Sequence, residues 1–389
     1  MNYGPLDLLI IQPSPFCNID CSYCYLPERS NTNKIKAETI QKLMERVIEA
    51  ELIDNKITIV WHAGEPLAVP LSYYQTYFDI INANTPSHVK IKHSIQSNGM
   101  LVTEEWCHFI NENSISIGLS IDGPEFLHDK NRVTRAGKGT HAKALEGAAL
   151  LRRNNIRFHV IAVITAESCK YPDEIFNFFN GLGIQYLGLN FEEVEGGNQS
   201  SSFDNGRTEN VSAFLNRLYE LQEQNDHRMV IREFLNSKQS IIGDPFAEHY
   251  KVNDGMRFNH QTTPYAIISV DYEGNFSSFS PELLGQKSER YGDFALGNVY
   301  TSSFKDALDT PKFRLINDDI QNGISACKSS CEYYYVCGGG APSNKYYENG
   351  SFDSTETLFC KLSIKAPTDI VLSQLEREVG IRGQACLYR

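Results

Sequence analysis

The chain has 389 residues, 41% of them apolar, enough to bury a large core. Its formal net charge of −12 argues against capture of nucleic acid or of an anionic membrane, and leaves a small molecule or a peptide as the expected partner. The opening MNYGPLDLLI lacks the basic and apolar regions of a signal peptide and no long apolar run follows, so the expected location is the cytoplasm, where thiols stay reduced.

In chain order, short apolar runs over 6–12, 57–61, 89–96, 115–121, 157–164 and 185–190 alternate with helical patterns. The stretch AETIQKLMERVIEAE shows the helical period, with Ile40, Leu43, Met44, Val47 and Ile48 on one face. Six consecutive βα units predict a parallel sheet, either open or a partial barrel. Polar and glycine-rich segments follow the strands: three cysteines after the first, His62-Ala-Gly-Glu-Pro66 after the second, Gln96-Ser-Asn-Gly99 at the third, Ser120-Ile-Asp-Gly123 at the fourth and NFEEVEGG at the sixth. Functional groups gathered at the C-terminal ends of parallel strands predict an α/β fold of the partial (β/α)6 TIM-like barrel type. Next come the polar stretch EGGNQSSSFDNGR, read as a linker or a lid, and two helical segments ending near residue 240. PYAIISVDYEGNFSSFS predicts a hairpin turning at Glu273-Gly274-Asn275, and APTDIVLSQLEREV a closing helix. The expected division is a barrel over 1–225, a helical bridge over 226–261 and a small cysteine-rich domain over 262–389.

The ten cysteines fall into two groups, Cys17, Cys21 and Cys24, and Cys327, Cys331, Cys337 and Cys360, with Cys107, Cys169 and Cys386 isolated. Reduced, clustered thiols predict a soft or borderline metal, zinc or iron–sulfur. A zinc site in the first group needs a fourth ligand, and His62 is the nearest in sequence. Three ligands on a cubane leave one iron open to a substrate.

The CxxxCxxC spacing, with Tyr23 directly before Cys24 and HAGEP after the second strand, resembles the radical S-adenosylmethionine (SAM) superfamily. That resemblance implies a [4Fe–4S] cluster on Cys17, Cys21 and Cys24 that chelates SAM. An electron supplied by a flavodoxin- or ferredoxin-type donor would cleave SAM to a 5′-deoxyadenosyl radical. It also implies SAM contacts from Tyr23 against the adenine, from the Gly64-Glu65-Pro66 turn to the ammonium group, and from Arg132 to the carboxylate. The strand-end residues Gln96, Asn98, Ser120 and Asp122 are assigned to the ribose hydroxyls and the carboxylate end. Ala63 stands where the family more usually has glycine.

The C-terminal cysteines resemble the SPASM extension of peptide-modifying radical SAM enzymes, which implies one auxiliary [4Fe–4S] cluster on Cys327, Cys331, Cys337 and Cys360. Structural zinc is the alternative. Phe279, Ser280 and Ala341 stand where ligands of a second auxiliary cluster are expected. GNFSSFSPELLG, FALGNV, NFEEVEG and CGGGAPSNKYYENGSFDSTETLFC resemble cyclophane-forming maturases of the GrrM/OscB type. This implies a ribosomally made precursor peptide and an aromatic-ring-to-Cβ cross-link, with Glu192, Glu193, Glu195 and Glu282 as candidate bases. Thioether formation, epimerisation and formylglycine-type oxidation use the same parts, and a zinc-stabilised binding scaffold is the non-enzymatic alternative.

Overall fold

The computed structural model describes residues 3–203, 209–242, 252–253, 256–257 and 259–387. Parts of the polar stretch after the sixth strand and of the expected 226–261 bridge lie outside the described residues.

Strands β1 (Leu8–Ile11), β2 (Lys56–Trp61), β3 (Lys90–Ser97), β4 (Ser116–Ser120), β5 (Phe158–Ile164) and β6 (Tyr186–Phe191) lie side by side in sequence order, all parallel. Each matches an expected run to within two residues. Helices α1 (Ala37–Glu49), α2 (Leu71–Asn84), α3 (Glu104–Glu112), α4 (His141–Arg153) and α5 (Pro172–Gly181) return the chain along one face. Local sequence starts and orients them: Thr103 accepts the Trp106 N–H and caps α3, while Ile40, Leu43, Met44 and Val47 of α1 are buried.

Register decides what the inside of the sheet presents. Leu9, Ile11, Ile59, Trp61, Ile95, Leu119, Val160 and Leu189 are buried under the helices. The alternate set, aligned across neighbouring strands as Ile10, Val60 and Ser94, then Gln96, Gly118 and His159, forms the opposite, concave face. Most of those side chains are only half-buried, so the open surface of the sheet is its inner one.

Among the described residues the sheet does not close. Val230–Ile231 extends it beyond β6. On the other side β7 (Ile267–Val270) pairs parallel with β1, antiparallel β8 (Asn275–Ser278) follows, and Gly297–Asn298 ends the row. The expected hairpin is thus present, and its first strand carries the sheet across the expected boundary at residue 262. Helices α6 (Glu209–Gln224) and α7 (Arg232–Ile242) then pack against the late helix α10 (Ala366–Leu387), while α8 (Pro311–Ser330) and α9 (Pro342–Asn349) bring in the second cysteine group. No helix among the described residues is long and apolar enough to cross a membrane.

Candidate active site

Cys17, Cys21 and Cys24 lie on the loop after β1, which is pinned where the short strand Ile19–Cys21 pairs antiparallel with Arg132–Thr134. The turn after β2 holds the loop from the other side. Glu65 N–H donates to the Phe16 carbonyl at 2.7 Å, and Gly64 sits at φ +97 with its Cα so close that a Cβ would lie 2.3 Å from the Ser14 carbonyl oxygen. Ala63 has φ +68, a left-handed conformation that favours glycine. The Glu65 carboxylate accepts from Leu67 N–H, Ser97 Oγ and Asn98 N–H, at 3.0, 2.8 and 2.8 Å, and so ties the end of β2 to the end of β3. Burial raises its pKa despite those three bonds.

Hydrogen-bond donors face the sulfurs. Asn98 Nδ2 is 4.0 Å from Cys17 Sγ and Arg132 Nη1 is 3.8 Å from Cys21 Sγ. Burial pushes the Cys17 thiol up to about 12 and the Cys21 thiol to about 11. Two desolvated thiols with N–H donors aimed at sulfur, and a third cysteine on the same loop, suit a cationic iron–sulfur centre, which supplies the positive charge that deprotonation needs there.

Next to this loop, Tyr23 Oη donates to Asp122 Oδ2, and Arg132 Nε lies 3.0 Å from the same oxygen, with both members of the ion pair almost wholly buried. The Arg132 guanidinium also covers the Tyr23 ring at 5.4 Å. Asp122 Oδ1 accepts the Val163 N–H at 2.9 Å. Tyr23, Asp122 and Arg132 are therefore engaged with one another, tying the cysteine loop to β4 and β5. Gln96 Nε2 donates to Ser120 Oγ at 3.0 Å across the concave face, and Asn98 Nδ2 donates to Asn18 Oδ1 at 2.7 Å. Pro66 is buried and begins a short 3-10 turn capped by Glu65.

Three of the four candidate glutamates converge. Asn344 Nδ2, on α9, donates to Glu193 Oε2 at 2.5 Å and lies 3.4 Å from Glu195 Oε1. Burial first, then mutual repulsion with Glu282, raises the pKa of Glu193 and of Glu195, and burial raises that of Glu282. Tyr25, one residue past Cys24, is buried beside the same three carboxyls, whose charge works with desolvation to keep its phenol protonated. Glu192 stands apart: its carboxylate accepts the Ser202 N–H at 2.8 Å and shapes the loop after β6.

The four later cysteines line one cavity of about 240 Å³, together with Tyr333, Gly340, Thr357's neighbour Glu356 and Lys365. Among the described residues no three His, Cys, Asp or Glu side chains converge as they would on a single ion. Thr357 Oγ1 lies 3.2 Å from Cys360 Sγ and Lys345 Nζ lies 3.4 Å from Cys327 Sγ. Donors around four spaced thiols suit a thiolate-bound cluster.

One residue weighed only as a zinc ligand stands out in the fold. His62 lines a cavity of about 340 Å³ at the mouth of the sheet, with Gln12, Tyr25, Ser269 and Asp271. Its Nδ1 is buried without a hydrogen-bond partner among the described residues, and burial lowers its pKa to about 4, so the imidazole is neutral. Strand periodicity was the available signal, since His62 continues the concave set of Thr58 and Val60.

Residues 11–179 match the family model of the radical SAM superfamily. The chain is 40% identical over 385 residues, 98% of its own length and 94% of the other's, to the uncharacterized protein sll1766 of Synechocystis sp.. It is 22% identical over 368 residues, 92% of this chain and 87% of the relative, to the serine-type anaerobic sulfatase-maturating enzyme of Bacteroides thetaiotaomicron. The solved structure of native anSMEcpe with bound AdoMet and Cp18Cys peptide superposes with a TM-score of 0.76 at 21% identity, covering 96% of this chain and 98% of that one. The chain belongs to the radical SAM superfamily. Membership implies a [4Fe–4S] cluster and SAM, and the thiols of Cys17, Cys21 and Cys24, with their donors, fit that cluster.

Proposed function

We propose that this protein is a radical SAM peptide maturase that joins an aromatic ring to a side-chain Cβ within a ribosomally made precursor peptide. The observation that carries this reading is the buried group of Glu193, Glu195 and Glu282, which lies between residues that neighbour each cysteine group. Tyr25 links it to Cys24, and Asn344 neighbours Lys345, whose ammonium lies against Cys327. SAM bound at a cluster on Cys17, Cys21 and Cys24 would supply the 5′-deoxyadenosyl radical, which would take a β-hydrogen from the peptide. Ring addition by the resulting carbon radical must be followed by loss of one proton and one electron.

The chain's own groups suit that last step. A carboxylate with a raised pKa is matched to proton removal near neutral pH, and Asn344 orients Glu193 for it. Gln96, Ser120 and His62 line the concave face and the mouth, where a peptide segment and SAM would lie. A second [4Fe–4S] cluster on Cys327, Cys331, Cys337 and Cys360 would accept the electron, and a flavodoxin- or ferredoxin-type donor would reduce the first. A cavity of about 240 Å³ among the four thiols supports the cluster rather than a single zinc ion in this reading.

The relationship to the Bacteroides sulfatase-maturating enzyme along most of the chain supports a second reading, oxidation of a serine or cysteine side chain to formylglycine. Co-expression with candidate precursors followed by tandem mass spectrometry separates the two. A loss of two hydrogens that blocks fragmentation between two residues and resists a hydrazine reagent is expected. A hydrazine-reactive product identifies formylglycine, and an unmodified peptide alongside active SAM cleavage overturns both.

A further inference from the structure

Lys345 is 3% exposed, and among the described residues no carboxylate lies within ion-pair distance of its ammonium. Burying an unpaired cation is strongly unfavourable unless an anion meets it. Its polar contact is Cys327 Sγ at 3.4 Å, and its charge also acts on Cys360. A neutral thiol is a weak acceptor, whereas a cluster-bound thiolate is an anion.

The surrounding backbone is shaped for this approach. Gly323 lies one helical turn before Cys327 on the same face of α8, and a Cβ there would come within 2.3 Å of the Phe352 carbonyl oxygen and 3.0 Å of Lys345 Nζ. Glycine inside a helix is less favourable than alanine, so the slot is maintained against helix propensity. On the other side Gly340 takes the left-handed φ of +82 beside both groups: its Cβ position lies in ordinary contact with Lys345 Cε at 3.6 Å and with Cys360 Sγ at 3.9 Å. Lys365, a cation that lines the cavity itself, is paired with Glu356.

We infer that Lys345 tunes the redox properties of the group held by Cys327, Cys331, Cys337 and Cys360. Its fixed positive charge stabilises the reduced cluster more than the oxidised one and so raises the reduction potential. The inference rests on the auxiliary-cluster reading above. Lys345 acts through the cluster and is a positioning residue, not a catalytic one.

The test uses full-length protein with Cys17, Cys21 and Cys24 all replaced by alanine, so that any iron belongs to the second site. Iron and sulfide are assayed, and the midpoint potential is followed by electron paramagnetic resonance with Lys345, K345M and K345R. The expected result is about four irons per chain in each, a lower midpoint in K345M and a midpoint near the parent's in K345R. Iron lost from K345M but kept in K345R also supports the charge requirement. An unchanged midpoint in iron-replete K345M, or iron lost from both variants, overturns the tuning role. Zinc, or no iron, in the parent carrying Lys345 overturns the auxiliary-cluster reading instead, and the inference with it.

Discussion

Replacing Gly64 with alanine should release the first cluster while leaving the fold intact. The added Cβ would lie 2.3 Å from the Ser14 carbonyl oxygen and 2.8 Å from that of Phe16, both backbone atoms that cannot rotate away. Holding alanine at φ +97 adds about 1–2 kcal/mol, overpacking about 1–3 kcal/mol, and a weakened Glu65 N–H bond to Phe16 about 1 kcal/mol. The sum, about 3–6 kcal/mol, is close to the total stability of many domains. The cheaper response is for residues 14–17 to move, which displaces Cys17 without unfolding the sheet. Anaerobic reconstitution followed by iron assay and thermal unfolding should show about four irons in place of about eight, a modest fall in melting temperature and no SAM cleavage. Full iron content with normal cleavage would refute the claim that this turn holds the cysteine loop.

Ala63→Gly acts in the opposite direction. It relieves about 1–2 kcal/mol of left-handed strain at φ +68 and gives back about 0.4–1 kcal/mol through a more flexible unfolded chain, so denaturant unfolding should show a net gain of about 0.5–1 kcal/mol. Asp122→Asn leaves the buried Arg132 guanidinium without its charge partner and should cost about 3–5 kcal/mol; a loss below about 1 kcal/mol would mean that water reaches that pair. The raised pKa values of Glu193, Glu195 and Glu282 mean that the native state holds more protons than the unfolded chain above the ordinary glutamate value of about 4.3. Melting temperature should therefore fall as pH rises from there through the neutral range, and Glu195→Gln should flatten that fall. Equal slopes in the two proteins would show that the carboxyls do not share one recess. Glu193→Gln should slow product formation far more than 5′-deoxyadenosine formation, measured by quantitative chromatography of both.

The six strands were legible because their apolar runs are local and bounded by turn residues, and the cysteine groups because metal ligands carry their meaning in spacing. The pairing of β7 with β1 was not legible, since it joins segments some 250 residues apart and nothing in IISV distinguishes a barrel strand from one of a separate domain. The glutamates were nameable as candidates, but only the fold separates Glu192, spent on its own loop, from Glu193, Glu195 and Glu282. The same holds for Asp122 and Arg132, read singly as ligand contacts and found as one buried ion pair with Tyr23 on the same carboxylate.

By itself, then, the sequence determined the strand and helix periods, the polar strand ends and two groups of closely spaced cysteines. Each of these is a property of neighbouring residues. Tertiary structure alone decided which carboxyls share a desolvated environment, which charges cancel, that His62 lines a cavity, and that Lys345 ends against a sulfur. Burial and charge pairing depend on what the rest of the chain brings alongside, and sequence spacing does not record them.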